Sequence, residues 1–314
     1  MQGYVANTHR DWFDFLAGRQ TCWDEVNFWT PSAHYAFRGP PESPFLFRLQ
    51  SPRNAIGGFG LVARFEKLPE WLAWECFGEG NGAATLADFQ ARLRDLRKTN
   101  RIEPSEGPSR IGCIILSPAY FFRPDAWIEQ PSDWGRQNLR YKQYDLARGE
   151  GLRIWRECLD RVRAGHPEEP GAAAVRDASG RLGEPRLVRP RLGQGVFRLS
   201  VTHAYDDACA MTGEHSLPAL EAAHIRPFGQ GGEHRVDNGL LLRSDLHRLF
   251  DRGYITVTRQ LRVEVSARLR ADFENGRTYY PLHGQRLRAP KDPADAPDPE
   301  CLAWHNENVY LSAG

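Results

Sequence analysis

The spacing of apolar residues predicts two amphipathic helices in the first half of the chain. Across residues 85–99 the apolar side chains recur at steps of three or four positions, so they fall on one face of a helix. The segment 146–165 has the same spacing, and its apolar positions are Leu152, Trp155, Leu159 and Val162. We expect each helix to pack this face against a core and to expose the charged residues between.

Three apolar runs near these helices predict β-strands. They cover residues 44–52, 55–65 and 111–122, and a turn at Pro52–Asn54 separates the first two. Three glycines early in the second run indicate a bulge or a close approach of the backbone. The first half is therefore expected to form a small β-barrel or a curled sheet with flanking helices.

Residues 220–257 predict a different arrangement, in which a strand, a loop, a second strand, a helix and a third strand follow one another. The expected ranges are Leu220–Ile225, Pro227–Gly232, Gly239–Leu242, Ser244–Arg252 and Tyr254–Val257. Ser244 is a residue type that caps helix N-termini, and Gly253 suits the left-handed conformation that ends a helix. We therefore expect a strand pair followed directly by a short helix.

The tryptophans divide the chain into two unlike halves. Eight of the nine lie before residue 156, and only Trp304 follows. Residues 166–195 are rich in Gly, Pro, Ala and charge and show no periodicity, which is typical of a linker. A chain of 314 residues also exceeds one average domain. We therefore predict an α+β protein of two domains, 1–165 and 196–314, joined by that linker.

Composition excludes several classes of protein. The 41 Lys and Arg residues nearly balance the 40 Asp and Glu residues, so bulk charge does not single out a nucleic-acid partner. The six cysteines are scattered without a CxxC pair, which excludes a zinc knuckle or a small disulfide scaffold. The chain has no apolar run near the roughly 18 residues that span a bilayer, and no secretory signal pattern at its start. We expect a cytoplasmic protein with no membrane contact.

Four polar residues in the second half fall where they could share one site. His224 lies at the end of the first predicted strand, Asn238 precedes the second, and His247 and Asp251 lie on the predicted helix. Residues four apart share a helix face, so His247 and Asp251 can bind one cation. A histidine facing that helix can take a proton from water while the cation neutralises a phosphate. The pattern favours metal-assisted hydrolysis of a phosphodiester.

The order AAHIRP, DNGLLL and DLHRLFD resembles the HNH, or ββα-metal, endonucleases, particularly those of restriction-type nucleases, over about residues 196–258. The resemblance implies that His224 is the general base and that Asn238 orients this base or the active-site loop. It also implies that His247 and Asp251 are metal ligands of the catalytic centre, for a divalent cation such as Mg²⁺ or Mn²⁺. Enzymes of this family cut DNA, and less often RNA.

One position departs from the family pattern. Many members carry an Asp or His just before the general base, and this chain has Ala223 there. Glu221, two positions earlier on the same strand face, is one candidate replacement, and water with substrate phosphate is the other. The remaining histidines have no partner at metal-ligand spacing, and we assign no catalytic role to His203, His215, His234, His283 and His305.

Two groups of arginines flank the candidate site. The first group precedes it together with Phe197 and the second lies on or beside the predicted helix; they are Arg189, Arg191 and Arg198, and Arg243, Arg248 and Arg252. Arginine side chains can hold a DNA backbone in register, but such groups are also typical of a solvated surface. Phosphate binding and plain solvation both stay open for them.

Aromatic residues beside polar or small ones mark two segments of the first half, 26–37 and 68–83, which we expect to be loops. Such rings can form a stacking pocket for a base that is turned out of the duplex. Trp71 and Trp74 are three residues apart, however, so they can equally pack a short helix against the sheet. The pattern leaves both interpretations open.

The strand pair PFLFRLQSPRNAIGGFGLVARF resembles that of PUA-like barrels, the superfamily of EVE, ASCH and YTH domains. This resemblance covers about residues 1–160 and implies a domain that binds a modified base in DNA or RNA. It implies three aromatic pocket walls and two side chains that contact the base edge, namely Trp29, Trp71, Trp74, Asn27 and Asn81.

These patterns lead to one hypothesis and two alternatives. The hypothesis is a modification-dependent DNA endonuclease of phage restriction, whose first domain binds a modified base, a substituted cytosine, and whose second domain cuts double-stranded DNA nearby. The alternatives are a nucleic-acid-binding protein whose nuclease site has decayed, suggested by Ala223, and an RNA-directed nuclease. A single site makes one nick, so double-strand cleavage needs two chains or two successive events, and of these we expect a homodimer.

Overall fold

The computed structural model describes residues 1–34, 36–102, 109–135, 140–165 and 193–312. The chain forms two compact units, Met1–Arg191 and Leu192–Gly314. Of the predicted linker at 166–195, all but the last three residues lie outside the described residues. The mixed α+β architecture predicted from the sequence is confirmed, with helices and strands in both units.

The N-terminal unit is built on an eight-stranded sheet. Its strands are β1 Gln2–Thr8, β2 Cys22–Trp23, β3 Val26–Thr30, β4 Pro44–Leu49, β5 Ala55–Pro69, β6 Arg110–Phe121, β7 Ile128–Glu129 and β8 Tyr141–Asp145. The pairing path is β2-β6-β5-β4-β1-β8, while β3 also pairs with β6 and β7 with β5. Only the β1–β4 pair among these described strands is parallel. Its end strands, β2 and β8, are not paired with each other in the described part of the chain.

In the described part of this unit four α-helices accompany the sheet: α1 Arg10–Arg19, α2 Glu70–Phe77, α3 Leu86–Thr99 and α4 Gly149–Gly165. The helices predicted at 85–99 and 146–165 are α3 and α4, and the three predicted strands are β4, β5 and β6. Thr85 caps α3, because its hydroxyl accepts a hydrogen bond from the Asp88 backbone N–H at 3.1 Å. The expectation of loops at 26–37 and 68–83 is wrong in part, since these segments contain β3 and α2.

Both faces of the sheet are buried, as strand β4 shows. Phe45 and Phe47 point to one face and Leu46 to the other, and all three have no exposed surface. The first face packs on α1, through Trp12, Phe13 and Leu16. The second packs on α4, through Ile154, Trp155 and Cys158. Burial on two sides explains why β4 is a continuous apolar run rather than an alternating one.

The C-terminal unit contains two small strand pairs among its helices. Its elements are α5 Gln194–Ala204, β9 Leu220–His224, β10 Gly239–Arg243, α6 Ser244–Asp251, β11 Ile255–Val257, β12 Val263–Val265, α7 Arg268–Phe273 and α8 Pro299–Asn308. Strand β9 pairs with β10 and β11 with β12, and both pairs are antiparallel. One apolar cluster joins the two pairs to α5, α6 and α8. No helix in the described parts of either unit combines the length and the apolar character that a membrane span requires.

The strand, loop, strand and helix predicted between residues 220 and 252 are all present, but the start of α6 corrects one detail. The N-cap position is Arg243 rather than Ser244, and no side chain caps the helix there. Gly253 ends the helix with φ of +76°, as predicted. A Cβ atom at Gly253 would also collide with the backbone carbonyl of Val309, so both conformation and space require glycine.

Candidate functional site

His224 is positioned by the antiparallel pair of β9 and β10. It is the last residue of β9 and lies opposite Gly239, the first residue of β10. A Cβ atom at Gly239 would collide with Val201 and crowd the Phe197 ring, so glycine lets α5 pack closely across the strands. The Phe197 ring lies nearly parallel to the His224 ring, with centroids 3.9 Å apart. This stacking fixes the plane of the candidate base.

The surroundings of His224 favour its neutral form. Its pKa is lowered from the ordinary value of 6.5 to about 4. Burial is the main cause, because a charged imidazole loses hydration there, and the nearby His234 and His247 add to the shift. The ring is therefore neutral at physiological pH, and a neutral imidazole can accept a proton from water.

Asn238 closes the loop that leads from β9 to β10. Its side-chain oxygen accepts a hydrogen bond from the Arg226 N–H, and its amide nitrogen donates to the carbonyls of Arg226 and Glu233, all at 2.9 Å. The side chain is 2% exposed. These bonds go to the loop backbone rather than to the His224 ring. Asn238 therefore holds the shape of the 225–238 loop.

His247, on α6, is contacted by a carboxylate at each ring nitrogen. Nδ1 lies 2.7 Å from Oε2 of Glu221 on β9, and Nε2 lies 3.3 Å from Oδ2 of Asp251. The i, i+4 pair predicted from the sequence is thus brought together, and Glu221 joins it from the opposite side of the ring. The pKa of Asp251 is raised, chiefly by partial desolvation and also by the negative charge of Glu221, while His247 opposes the shift.

His234 was assigned no role from the sequence, yet it lies against the candidate base. Its Nδ1 is 2.9 Å from Nε2 of His224. The His234 ring also stacks on Phe228, with centroids 4.8 Å apart and planes within 7°. Position in a glycine-containing loop between His224 and Asn238 was the only hint of this in the sequence. The contact depends on the fold of the loop, which spacing along the chain does not reveal.

Residues 209–258 match the family model of HNH endonucleases. The C-terminal unit carries a segment similar to HNH endonucleases. The match begins before β9 and ends after β11, so it includes His224, Asn238, His247 and Asp251. The resemblance drawn from the sequence motifs is confirmed for this half of the chain.

Solved structures similar to the chain include two forms of ASCH from Zymomonas mobilis and the modification-dependent TagI restriction endonuclease. The ASCH protein is 10% identical, with a TM-score of 0.31, and 49% of this chain and 94% of that one are covered. Its Y47F mutant is 11% identical, with a TM-score of 0.33, and 49% of this chain and 95% of that one are covered. For TagI the values are 15% identity and a TM-score of 0.28, over 92% of this chain and 77% of that one. No curated protein matches the chain.

The donors of the HNH segment fit a divalent cation held by two side chains. Imidazole nitrogen and carboxylate oxygen each bind such cations at about 2.1 Å, which places two neighbouring ligands about 3.0 to 3.4 Å apart. The separation of 3.3 Å between His247 Nε2 and Asp251 Oδ2 is in this range. Within the described residues no group of three or more His, Cys, Asp or Glu side chains has a metal-holding arrangement. Glu221 faces Nδ1, on the other side of the ring, and so suits orienting His247 rather than sharing the cation with Asp251.

The arginines near the HNH segment differ in their surroundings. Arg189 and Arg191 lie outside the described residues. Arg243 forms a two-bond ion pair with Asp245, at 2.8 and 2.6 Å, whereas Arg248 is exposed on α6. Phe197, which the sequence placed at a linker end, is instead a buried residue of α5 beneath His224. Among the candidates with described positions, Arg248 and Arg252 are exposed and so are more accessible to a phosphate than Arg198 and Arg243.

The residues predicted to form a base pocket are not brought together in the N-terminal unit. Asn27 and Asn81 have no exposed surface, and the Asn27 amide donates to the Asn81 side-chain oxygen at 2.9 Å. Trp71 and Trp74 lie on α2, where Trp74 packs near the Phe89 ring. Trp29 alone among the five lines a cavity of about 750 Å³. The two asparagines join strand β3 to the end of α2 rather than face a ligand.

The cavity beside Trp29 combines aromatic rings with cationic and amide groups. Trp12 and Phe28 line it together with Trp29, and Arg101 and Arg140 lie at its wall. Further lining residues that can donate hydrogen bonds are Asn7, His9, Thr30, Ser32, His34, Gln50 and Asn100. None of the described residues that line this cavity is Asp or Glu. A planar ring carrying an anionic group suits such surroundings.

Proposed function

We propose that this protein is a modification-dependent DNA endonuclease. A single observation carries the nuclease part: a neutral histidine at the end of β9 lies close to a histidine and carboxylate pair on α6, within a segment that matches HNH endonucleases. The N-terminal unit would supply a site for a modified base, a substituted cytosine. The substrate would be double-stranded DNA such as that of an infecting phage.

In the proposed reaction His224 takes a proton from the water that attacks the phosphorus atom. Stacking on Phe197 and the closed 225–238 loop hold the His224 ring in place, and Asn238 keeps that loop closed. His247 and Asp251 would hold the divalent cation, Mg²⁺ or Mn²⁺, and Glu221 would orient the His247 ring. When bound, such a cation neutralises charge on the phosphate and on the leaving oxygen.

The cavity beside Trp29 supports the base-binding part of the proposal. Its volume lies within the range of small-molecule sites, about 300 to 1,000 Å³, so it can admit one base with a substituent. Trp29 offers a ring for stacking, and Arg101 and Arg140 suit a neighbouring phosphate. We further propose that the functional division lies between residues 165 and 196, and that two chains act together for double-strand cleavage.

The proposal is tested by comparing wild type with His224→Ala on duplex DNA carrying modified cytosine, in the presence of Mg²⁺ or Mn²⁺. Loss of a general base costs about 10²- to 10⁴-fold in rate, so we expect cleavage to fall by that factor while DNA affinity stays the same. His215→Ala is the matched control, because His215 is an exposed histidine of the same unit. Its cleavage should equal that of wild type.

Three results would contradict the proposal. Loss of DNA binding or of folding in His224→Ala would indicate a structural histidine. A binding protein with a decayed site would be indicated if wild type cuts no DNA and also shows no Mn²⁺ binding that depends on His247. Calorimetry measures that binding, by comparison of wild type with His247→Ala. Faster cleavage of a matched RNA than of DNA would indicate the RNA-directed alternative.

A further inference from the structure

A second histidine, His234, is held against His224, the proposed general base, by aromatic contacts on two sides. His234 stacks on Phe228 at 4.8 Å and approaches the Phe197 ring at 5.7 Å. The residue before it, Glu233, is tied to Asn238 through its backbone carbonyl. The ring is therefore anchored by the same loop closure that shapes the site.

The hydrogen bond between the His224 and His234 rings contains one proton, which can belong to either ring. Only one of these two arrangements lets His224 act as a general base. A neutral imidazole has one N–H and one nitrogen lone pair. If His224 Nε2 carries the hydrogen and donates to His234 Nδ1, the lone pair of His224 lies on its Nδ1. If His234 donates instead, the lone pair of His224 is already engaged. Nδ1 of His224 makes no hydrogen bond within the described residues, so the first arrangement leaves it open to water.

We propose that His234 is a positioning residue that fixes His224 as the Nε2–H tautomer, so that Nδ1 is the atom that takes the proton. The inference rests on the proposed nuclease function. When His224 Nδ1 receives the proton, its Nε2–H continues to donate to His234, so the ring keeps its orientation. The acceptor nitrogen of His234 thus fixes the tautomer and orientation of His224, as a carboxylate does for the histidine of a serine hydrolase.

Two substitutions separate this role from plain packing. His234→Phe keeps a flat ring between Phe228 and Phe197 and removes the acceptor. His234→Asn loses the ring and places an amide oxygen near the position of Nδ1, so it retains the acceptor. Outer partners of this kind typically affect activity about 10- to 100-fold. We expect that loss in kcat for His234→Phe, with an unchanged Kd for DNA, and recovery of most of the rate in His234→Asn.

A tautomer measurement gives a readout besides activity. In ¹⁵N-histidine-labelled protein at pH 7, the nitrogen shifts of His224 should show a protonated Nε2 and an unprotonated Nδ1 in wild type and in His234→Asn. In His234→Phe the two tautomers should mix. His215→Phe is the control, and it should leave both the spectrum of His224 and the cleavage rate unchanged.

The outcomes distinguish failure of this inference from failure of the proposed function. If wild type cuts no DNA, the nuclease proposal fails while the spectra still test the tautomer. If wild type cuts and His234→Phe cuts equally fast, the positioning role is overturned. Equal losses in the Phe and Asn variants would also overturn it, because an acceptor would then not matter. A wild-type spectrum with Nδ1 protonated would contradict it directly.

Discussion

His224 has a proton affinity that its place in the chain would not suggest. In the sequence it is one of ten histidines, and in the fold it lies at a strand end against Phe197 and beside the His234 imidazole. Burial and neighbouring imidazoles lower the pKa of this ring, so it stays neutral at pH values well below the ordinary pKa of 6.5. The same side chain on the surface would be partly protonated near neutrality and a less available base.

We predict that DNA cleavage keeps its rate well below pH 6.5. A base acts when deprotonated, and a lowered pKa extends the deprotonated form toward acid, so kcat/KM should stay level down to about pH 5 and decline only near pH 4. The measurement is a pH profile of kcat/KM, with DNA affinity followed in parallel. A half-maximal rate near pH 6.5 would show that the free-histidine value persists in the site.

Asn238 illustrates how much one buried amide contributes to the loop. Replacing it by Ala leaves the Arg226 N–H and two backbone carbonyls without their partner, so we expect the free energy of unfolding of the C-terminal unit to fall by about 3 kcal/mol. Urea unfolding measures this, and Glu233→Ala is the control, since it removes only an exposed side chain. A loss under 1 kcal/mol for Asn238→Ala would contradict a closing role.

At the scale of elements, β9, β10 and α6 could be predicted because their signals are local. Turn residues bound both strands, and the i, i+4 spacing of His247 and Asp251 needs no more than one helix. Strand β3 was missed, because its aromatic residues beside the polar Asn27 and Thr30 were taken to indicate a loop. The amide nitrogen of Asn27 donates to the side-chain oxygen of Asn81, which is 54 positions away, and no local pattern reveals such a partner.

The same limit explains which parts of the site could be foreseen. His224, Asn238, His247 and Asp251 lie on elements with local signals, and the structure places His224 beside His247 and His247 beside Asp251. The contact of His234 depends on how a loop folds, and the cavity beside Trp29 depends on segments from five parts of the chain. A sequence pattern shows which side chains are present, but it does not show which of these distant residues come into contact.

Helix α8 is fastened to α6 and β11 by one buried histidine. His305 is 2% exposed, its Nε2 donates to the Phe250 carbonyl at 3.1 Å, and its Nδ1 contacts the Thr256 hydroxyl at 2.8 Å. Burial lowers its pKa to about 4. Between pH 6.5 and 4, His305 therefore stays neutral in the folded unit but binds a proton in the unfolded chain.

We predict that the C-terminal unit loses stability as the pH falls from 6.5 to 4. Above pH 6.5 His305 is neutral in both states, and below it the unfolded chain binds protons first, so the folded state is penalised by up to about 3 kcal/mol near pH 4. His224 acts in the same direction. Urea unfolding at several pH values should show a flatter dependence for His305→Gln than for wild type. Equal slopes would mean that His305 protonates freely in the fold.

At the scale of the whole molecule, the proposal assigns the two halves of a selective nuclease's work to the two units. The C-terminal unit has the groups for hydrolysis and a short loop to hold them. The N-terminal unit has an aromatic and cationic cavity lined by residues of the sheet and of α1 and α3, and the sheet is buried on both faces, which is the rigid frame that the proposed recognition requires. The proposal therefore predicts that recognition and cleavage can be impaired separately.

We predict that Trp29→Ala reduces discrimination between modified and plain DNA. Stacking of a base on an aromatic ring contributes about 1 to 3 kcal/mol, so affinity for the modified duplex should fall about 10- to 100-fold while affinity for plain duplex changes little. Trp71→Ala is the matched control, a half-buried tryptophan of the same unit that does not line the cavity. Equal effects of the two substitutions would place the base elsewhere.

The most direct test is cleavage of four matched duplexes by wild-type protein with Mg²⁺ or Mn²⁺. The duplexes carry plain, methylated, hydroxymethylated or glucosylated cytosine at the same positions. We predict that one or more modified duplexes are cut and the plain duplex is not. Equal cutting of all four duplexes would contradict selection by a modified base, and cutting of none with either cation would contradict the nuclease itself.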